Sequence, residues 1–208
     1  MHIVAFNGSP RNKGNTHKML ARILERCEEN GFTTELIHMG SDPHACKDCG
    51  LCRKNMREWC YQKSDPFINE WFAKMVSANG IILGSPVYGG WLTPVMKGFI
   101  EKSVYIARAP IKRGEKYTVL RNKIGIAVCS TRRSGGIQTL QSLISMFAHT
   151  QMIMPCGGQW PIASFGSMDT DAFLKDINGV AIIDKLAENF VKALVRFHGN
   201  NNEQYLSK

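Results

Sequence analysis

Short, continuous apolar runs alternate along this chain with longer stretches of helical periodicity, and that alternation leaves few folds open. His2-Ile3-Val4-Ala5-Phe6 ends at the turn signal Asn7-Gly8-Ser9-Pro10 and reads as a strand. From about Thr16 to Asn30, Met19, Leu20, Ile23 and Leu24 recur at helical spacing, and Gly31 supplies a stop. Thr34–Met39 predicts a second strand, with a cysteine-rich segment after it. Pro66 to Asn79 predicts a helix with Phe67, Ile68, Trp71, Phe72 and Met75 on one side, Asp65 as its N-cap and Pro66 at its first position. The remaining expectations are strands at Gly80–Gly84, Lys123–Cys129 and Met152–Pro155, and helices at Thr93–Val104, Gly136–Thr150 and Asp176–His198. Strands apolar on consecutive residues need cover on both faces, so the pattern predicts a doubly wound α/β sandwich with a parallel sheet of about five strands.

The 208 residues suffice for one core, and no repeat or linker divides them. Residues 1–208 are therefore expected to form a single domain, with the cysteine-rich insertion at about 44–62 and a frayed tail after Gly199. The longest apolar runs, Ile81–Leu83 and Ile124–Val128, are strand-sized, which excludes a helical membrane span. Met1 runs directly into a strand pattern with no export-type segment, and the expected location is the cytoplasm. A formal charge of +9 is spread from Arg11 to Lys208 without a basic run, which suits a solvated surface or a phosphorylated small ligand and not nucleic acid.

In a sheet of this kind ligands bind beyond the C-terminal strand ends. Three loops fall there: Asn7–Thr16, Ser85–Trp91 and Ser130–Gly136. The first offers backbone amides, the hydroxyls of Ser9 and Thr16, the Asn15 amide and the Arg11 guanidinium at a helix start, a setting for a phosphate. It is neither GxxxxGK[ST], since Asn15 stands where the lysine belongs, nor GxGxxG, and an ordinary strand-to-helix turn would use the same residues. In the second, Pro86, Gly89 and Gly90 can lay peptide groups along a planar heterocycle, with Val87 between them and with Tyr88 and Trp91 as apolar surface. The third, with Ser130, Arg132, Gly135 and Gly136, is placed to reach the other side of the same ring, and Arg132 and Arg133 suit a phosphorylated reductant.

Gly8-Ser9-Pro10-Arg11 with Gly14-Asn15-Thr16, and Ser85-Pro86-Val87-Tyr88-Gly89 with Pro94 and Lys97-Gly98-Phe99 downstream, resemble the phosphate and isoalloxazine loops of the NAD(P)H-dependent FMN reductase family. The likeness runs from Met1 to about Leu143. It implies a flavodoxin-like fold and FMN, with phosphate contacts from Ser9, Arg11, Asn15 and Thr16 and ring contacts from Pro86, Val87, Tyr88 and Gly89. Glu101-Lys102 stands where relatives usually carry Asp-Arg, a change expected to touch helix packing more than chemistry.

Four of the seven cysteines follow the pattern Cys46-x2-Cys49-x2-Cys52-x7-Cys60. Soft thiolates at two-residue gaps can wrap three corners of a cubane, a distant fourth can close it, and Gly50 lets the chain curl. The spacing resembles the iron-sulfur flavoprotein branch of the same family, which implies a [4Fe-4S] cluster near FMN. Zinc, redox-active thiols, and cysteines that merely pack are the competing readings. Trp59 is a candidate shield, His44 a polar loop residue beside the motif, His17 a surface residue, and Cys129 and Cys156 core thiols.

The resemblance implies electron transfer between a ferredoxin-like or small-molecule donor and an acceptor through FMN and the cluster. It further implies a homodimer or homotetramer in which one subunit's cluster faces a neighbour's flavin. Flavin carries the chemistry itself, so no catalytic side chain is expected. An NAD(P)H-dependent flavin or quinone reductase without a cluster, and a non-enzymatic module for a phosphorylated ligand, remain as alternatives.

Overall fold

The computed structural model describes residues 1–42, 44–63, 65, 67–164 and 169–199. Its strands are β1 (His2–Asn7), β2 (Thr33–His38), β3 (Gly80–Pro86), β4 (Ile124–Thr131) and β5 (Ile162–Ser164). Its helices are α1 (Asn15–Glu28), α2 (Leu51–Asn55), α3 (Ile68–Ser77), α4 (Pro94–Ala107), α5 (Ala109–Lys112), α6 (Gly136–His149), α7 (Ala172–Lys175) and α8 (Ile177–His198). All strand pairs are parallel, in the order β2-β1-β3-β4-β5.

Alternate residues of each central strand serve opposite faces. Val4, Phe6, Ile81 and Leu83 join α3, α4 and α6 in one core, while Ile3, Ala5, Ile82, Ile126 and Val128 join α1 and α8 in the other. This two-sided burial is why the runs are continuously apolar, as the sequence predicts for a doubly wound sheet.

The fifth strand is displaced from its expected place. Ile153 makes an isolated parallel bridge to Ile124, but the pairing that forms β5 is Ile162–Ser164 beside Cys129–Thr131. Pro155 lacks an N–H, and Gly157 and Gly158 follow it, so the chain leaves the sheet edge after Ile153 and rejoins it at Pro161, whose carbonyl accepts from the Cys129 amide at 3.0 Å. Cys156 lies on this excursion and is exposed, whereas Cys129 is fully buried as expected.

The N-cap of α3 is Phe67 and not Asp65 as expected; Asp65 lies two residues earlier, its Oδ1 accepting from the amides of Phe67 and Ile68 at 3.2 and 3.1 Å. Phe67 itself is 46% exposed, stacked on Trp71 outside the core. Pro66, expected at the first helical position, and the tail from residue 200 onward lie outside the described residues. Among the described residues no helix is long and apolar enough to cross a membrane.

Candidate functional site

The first rim loop is held from within. Asn7, fully buried at the end of β1, accepts from the Ser9 amide at 3.0 Å, and Ser9 Oγ accepts from the Arg11 amide at 3.1 Å. The N-cap of α1 is Gly14, with no side-chain cap. The first-turn N–H groups of Asn15, Thr16 and His17 therefore remain open to an external anion, and the helix dipole favours one.

The second loop turns back on itself. Tyr88 and Trp91 exchange both backbone hydrogen bonds, at 2.7 and 3.0 Å, around Gly89 and Gly90 with φ of +58° and +85°. Positive φ at both central positions is what a two-residue hairpin needs, and glycine meets it without steric cost. The N–H groups of Gly89 and Gly90 have no acceptor among the described residues.

Each pair of rim loops is bonded together. Thr93 Oγ1 donates to Gly8 O at 2.7 Å, Thr16 Oγ1 meets Ser130 Oγ at 2.8 Å, and Val87 N donates to Ser130 O at 2.9 Å. Gly135, at φ +83°, presses the third loop onto the second: a Cβ there would stand 2.8 Å from Gly90 O.

Together they enclose a cleft of about 220 Å³ lined by Ser9, Arg11, Asn15, Thr16, Pro86, Val87, Tyr88, Ser130 and Arg132, with Gly14 and Thr131 added. Ser9, Thr16 and Ser130 are buried, Arg11 and Arg132 are exposed, and no carboxylate is among the lining residues. Gly89, Gly135 and Gly136 are not on the wall: Gly89 is exposed at the hairpin tip, whereas Gly135 packs against Gly90 and Val87 and Gly136 against Ile162. Asn15 is engaged elsewhere, its Nδ2 donating to Asp169 O at 2.8 Å and its Oδ1 accepting from Phe173 N at 3.0 Å. His17 is less exposed than expected; its Nδ1 is buried without a partner, and burial, followed by His38, Lys13 and Lys18, holds it below the ordinary histidine range. Asn7 and Thr93 had no place in the sequence reading, because a loop-locking side chain carries no signature beyond its polarity. A larger groove of about 610 Å³ between α1 and α8 is lined by charges that pair with one another, such as Arg22 with Asp184 and Arg26 with Glu29, and reads as a solvated face.

Cys46, Cys49, Cys52 and Cys60 line a second, mostly apolar cleft with Gly50, Lys102, Tyr105 and Ile106. Asp48, Gly50 and Met56 take φ of +45°, +70° and +50° as the chain curls around the single turn of α2. Asn69 of α3 clamps Cys60, accepting from its amide at 2.8 Å and donating to its carbonyl at 2.9 Å. Burial pushes the Cys52 and Cys60 thiols up; at Cys60 an amide from Gln62 and the charge of Lys102 work against it. Among the described residues no three His, Cys, Asp or Glu side chains form a group that could hold a single metal ion.

Neighbouring expectations fare unevenly. Trp59 is 52% exposed and stands outside the cysteine cleft, so it does not shield it. His44 is also off the wall, its ring 6.4 Å from that of Phe67. Lys102, expected to matter for helix packing, faces the cysteines, with its side chain 1% exposed. The sequence signal for it was the departure Glu101-Lys102 itself.

Residues 1–167 match the family described as NADPH-dependent FMN reductase. An iron-sulfur flavoprotein of Methanosarcina thermophila is 29% identical over 206 residues, 98% of this chain and 100% of that protein. Another, of Methanocaldococcus jannaschii, is 32% identical over 169 residues, 80% of this chain and 81% of that protein. Among solved structures, FerB of Paracoccus denitrificans, a flavoenzyme NAD(P)H:(acceptor) oxidoreductase, superposes with a TM-score of 0.63 at 15% identity, covering 94% of this chain and 98% of FerB, a likeness of fold.

Proposed function

The chain belongs to the NADPH-dependent FMN reductase family, in its iron-sulfur flavoprotein branch, and from that premise we propose that it passes electrons between a ferredoxin-like or small-molecule donor and an acceptor through FMN in the three-loop cleft and a [4Fe-4S] cluster on Cys46, Cys49, Cys52 and Cys60. The observation that carries the flavin half is the pairwise bonding of three loops around an arginine-lined cleft at an uncapped helix start.

When bound, the flavin supplies hydride and single-electron chemistry. The chain's part is to bind and orient. The first-turn amides of α1, with Ser9, Thr16 and Arg11, receive the phosphate. Pro86, Val87 and Tyr88 would lie along the ring with Ser130 and Arg132 on its other side, and the N–H groups of Gly89 and Gly90, unpaired among the described residues at the hairpin tip beside the cleft, would be available to its polar edge. Gly135 and Gly136 hold that side in place, and Asn15, on the cleft wall, also anchors the chain around α7.

The cysteine cleft fits a cubane better than a single ion. Thiolates around one tetrahedral zinc at about 2.3 Å must converge on a point, whereas a cubane spreads its four corners. Four cysteines at this spacing on one mostly apolar cleft wall supply the soft donors that a cubane takes. The exposed Leu51, Met56, Tyr61 and Tyr105 around the cysteines are apolar surface that supports a homodimer or homotetramer, in which a cluster would serve a neighbour's flavin. The absence of a convergent thiol group is also what an NAD(P)H-dependent reductase without a cluster would present.

Anaerobic purification followed by visible absorbance, iron and acid-labile sulfide assays separates the readings. Flavin bands over a broad iron–sulfur absorption support the proposal, flavin bands without iron leave the cluster-free reductase, and a colourless protein overturns both. Ser9→Asp places a charge against the phosphate and should abolish FMN retention with the fold intact by circular dichroism; unchanged affinity would overturn the placement of the phosphate.

A further inference from the structure

Lys102 and Asp65 form an ion pair at 2.5 Å with side chains only 1% and 5% exposed. Burying two charges costs several kcal/mol per ion, and a well-packed apolar pair is often as stable or more so. The fold therefore gains little by keeping this pair for stability alone. Its orientation suggests what else it does. The Lys102 side chain is part of the cysteine cleft wall, while Asp65 stands behind it with its other oxygen occupied by the α3 amides. The cleft thus meets the positive end of the pair. Its other wall charges, Arg53 and Asp48, are exposed and paired with each other.

We propose that Lys102 is a positioning residue that raises the reduction potential of the iron–sulfur centre, through a buried cation that Asp65 fixes against the four cysteines. The inference rests on the cluster reading above. On reduction the centre gains one electron and one unit of negative charge; no bond is made or broken at Lys102, and a nearby cation in a low-dielectric wall stabilises the more negative state.

The test is an anaerobic redox titration with mediators as the electron source, following the centre by electron paramagnetic resonance and the flavin by absorbance in the same sample. Lys102→Met should lower the reduced-to-oxidised ratio of the centre at a fixed potential by about tenfold, equivalent to about 59 mV for one electron, with the flavin midpoint unmoved. Lys102→Arg should hold the ratio within about threefold of the parent. Because Lys102→Met leaves Asp65 buried and unpaired, the double variant Lys102→Met/Asp65→Asn provides a neutral pair, and a fall in the same direction but smaller is expected there. A loaded Lys102→Met or double variant with the parent potential overturns the proposal, as does an Arg variant that shifts as far as Met, which would make the role one of packing. A parent protein that retains flavin but carries neither iron nor sulfide removes the cluster reading, and this proposal with it.

Discussion

The three-loop cleft, proposed for flavin, and the cysteine cleft are held by different means. Each loop of the flavin cleft leaves directly from a strand end, and the register of the sheet sets its position: Asn7 pairs with Gly84, Gly84 with Val128, and Pro86 with Ser130. The cysteine segment also follows a strand, β2, but it makes no ladder of its own and contains one short helix. It is tied down by side chains reaching in from elsewhere, namely Asn69 to Cys60 and Arg113 to Met56 O and Glu58, and within the segment by Gln62 to Ala45 O. Strand register places the loops of the first site before side chains lock them, whereas the second relies on side chains, chiefly from outside, to hold it.

The most damaging change should therefore be one that separates two strand-end loops. Gly135→Val combines a positive φ with a Cβ 2.8 Å from Gly90 O, and neither backbone can yield cheaply. A loss of about 3–5 kcal/mol of stability is expected, with FMN affinity, read by fluorescence titration, down at least a hundredfold. Retained affinity would mean that the two loops move independently, contrary to the bonding between them.

On the other side, Gly98→Ala would bring a Cβ to 2.8 Å from His44 O, where the chain leading into the cysteine segment crosses α4. The cost should be about 1–3 kcal/mol, as for other overpacked contacts. The expected signature is local, with faster alkylation of Cys46 and Cys60, lower iron content, and FMN affinity within about twofold of the parent. A smaller effect of the same kind is expected from Asn69→Ala, which leaves the Cys60 amide and carbonyl unpaired at about 1–2 kcal/mol. If either variant releases FMN as readily as it exposes the thiols, the two clefts are one cooperative unit and the contrast between them fails.

The same contrast decides what could be seen in the sequence. The alternation of runs and stripes was enough for the sheet, because two-sided burial forces consecutive apolar residues in β1, β3 and β4. The three loops were legible because glycine, proline and small hydroxyls at strand ends have few other uses. β5 was misplaced, since a three-residue edge strand reached after an excursion through Gly157 and Gly158 leaves no periodicity to read. Asn15 has a second role that spacing does not show: its side-chain amide bonds to Asp169 and Phe173, 154 and 158 residues distant. Lys102 with Asp65 is a long-range pair of the same type, 37 residues apart, and spacing says nothing about it.

The weakest expected effect tests whether the flavin cleft is as preformed as its bonding implies. His17 follows Thr16 on the first turn of α1 and is held below the ordinary histidine range, chiefly by burial and then by His38, Lys13 and Lys18. The unfolded chain therefore binds this proton more readily than the folded one. Stability from His17 is present above the ordinary histidine pKa and is lost as pH falls through and below it. A phosphate seated at the same helix start would oppose that trend, because an anion favours the protonated ring. The melting temperature of the flavin-free protein should thus fall further than that of the FMN-loaded protein between neutral pH and pH about 5, and His17→Gln should narrow the gap between the two curves by roughly 1 °C, a small amount because solvent still screens a half-buried ring. His198, also lowered by burial but on α8, should depress both curves alike and serves as the internal control. Parallel curves in the parent protein would place the bound anion away from the α1 terminus, and with it the geometry on which the flavin cleft depends.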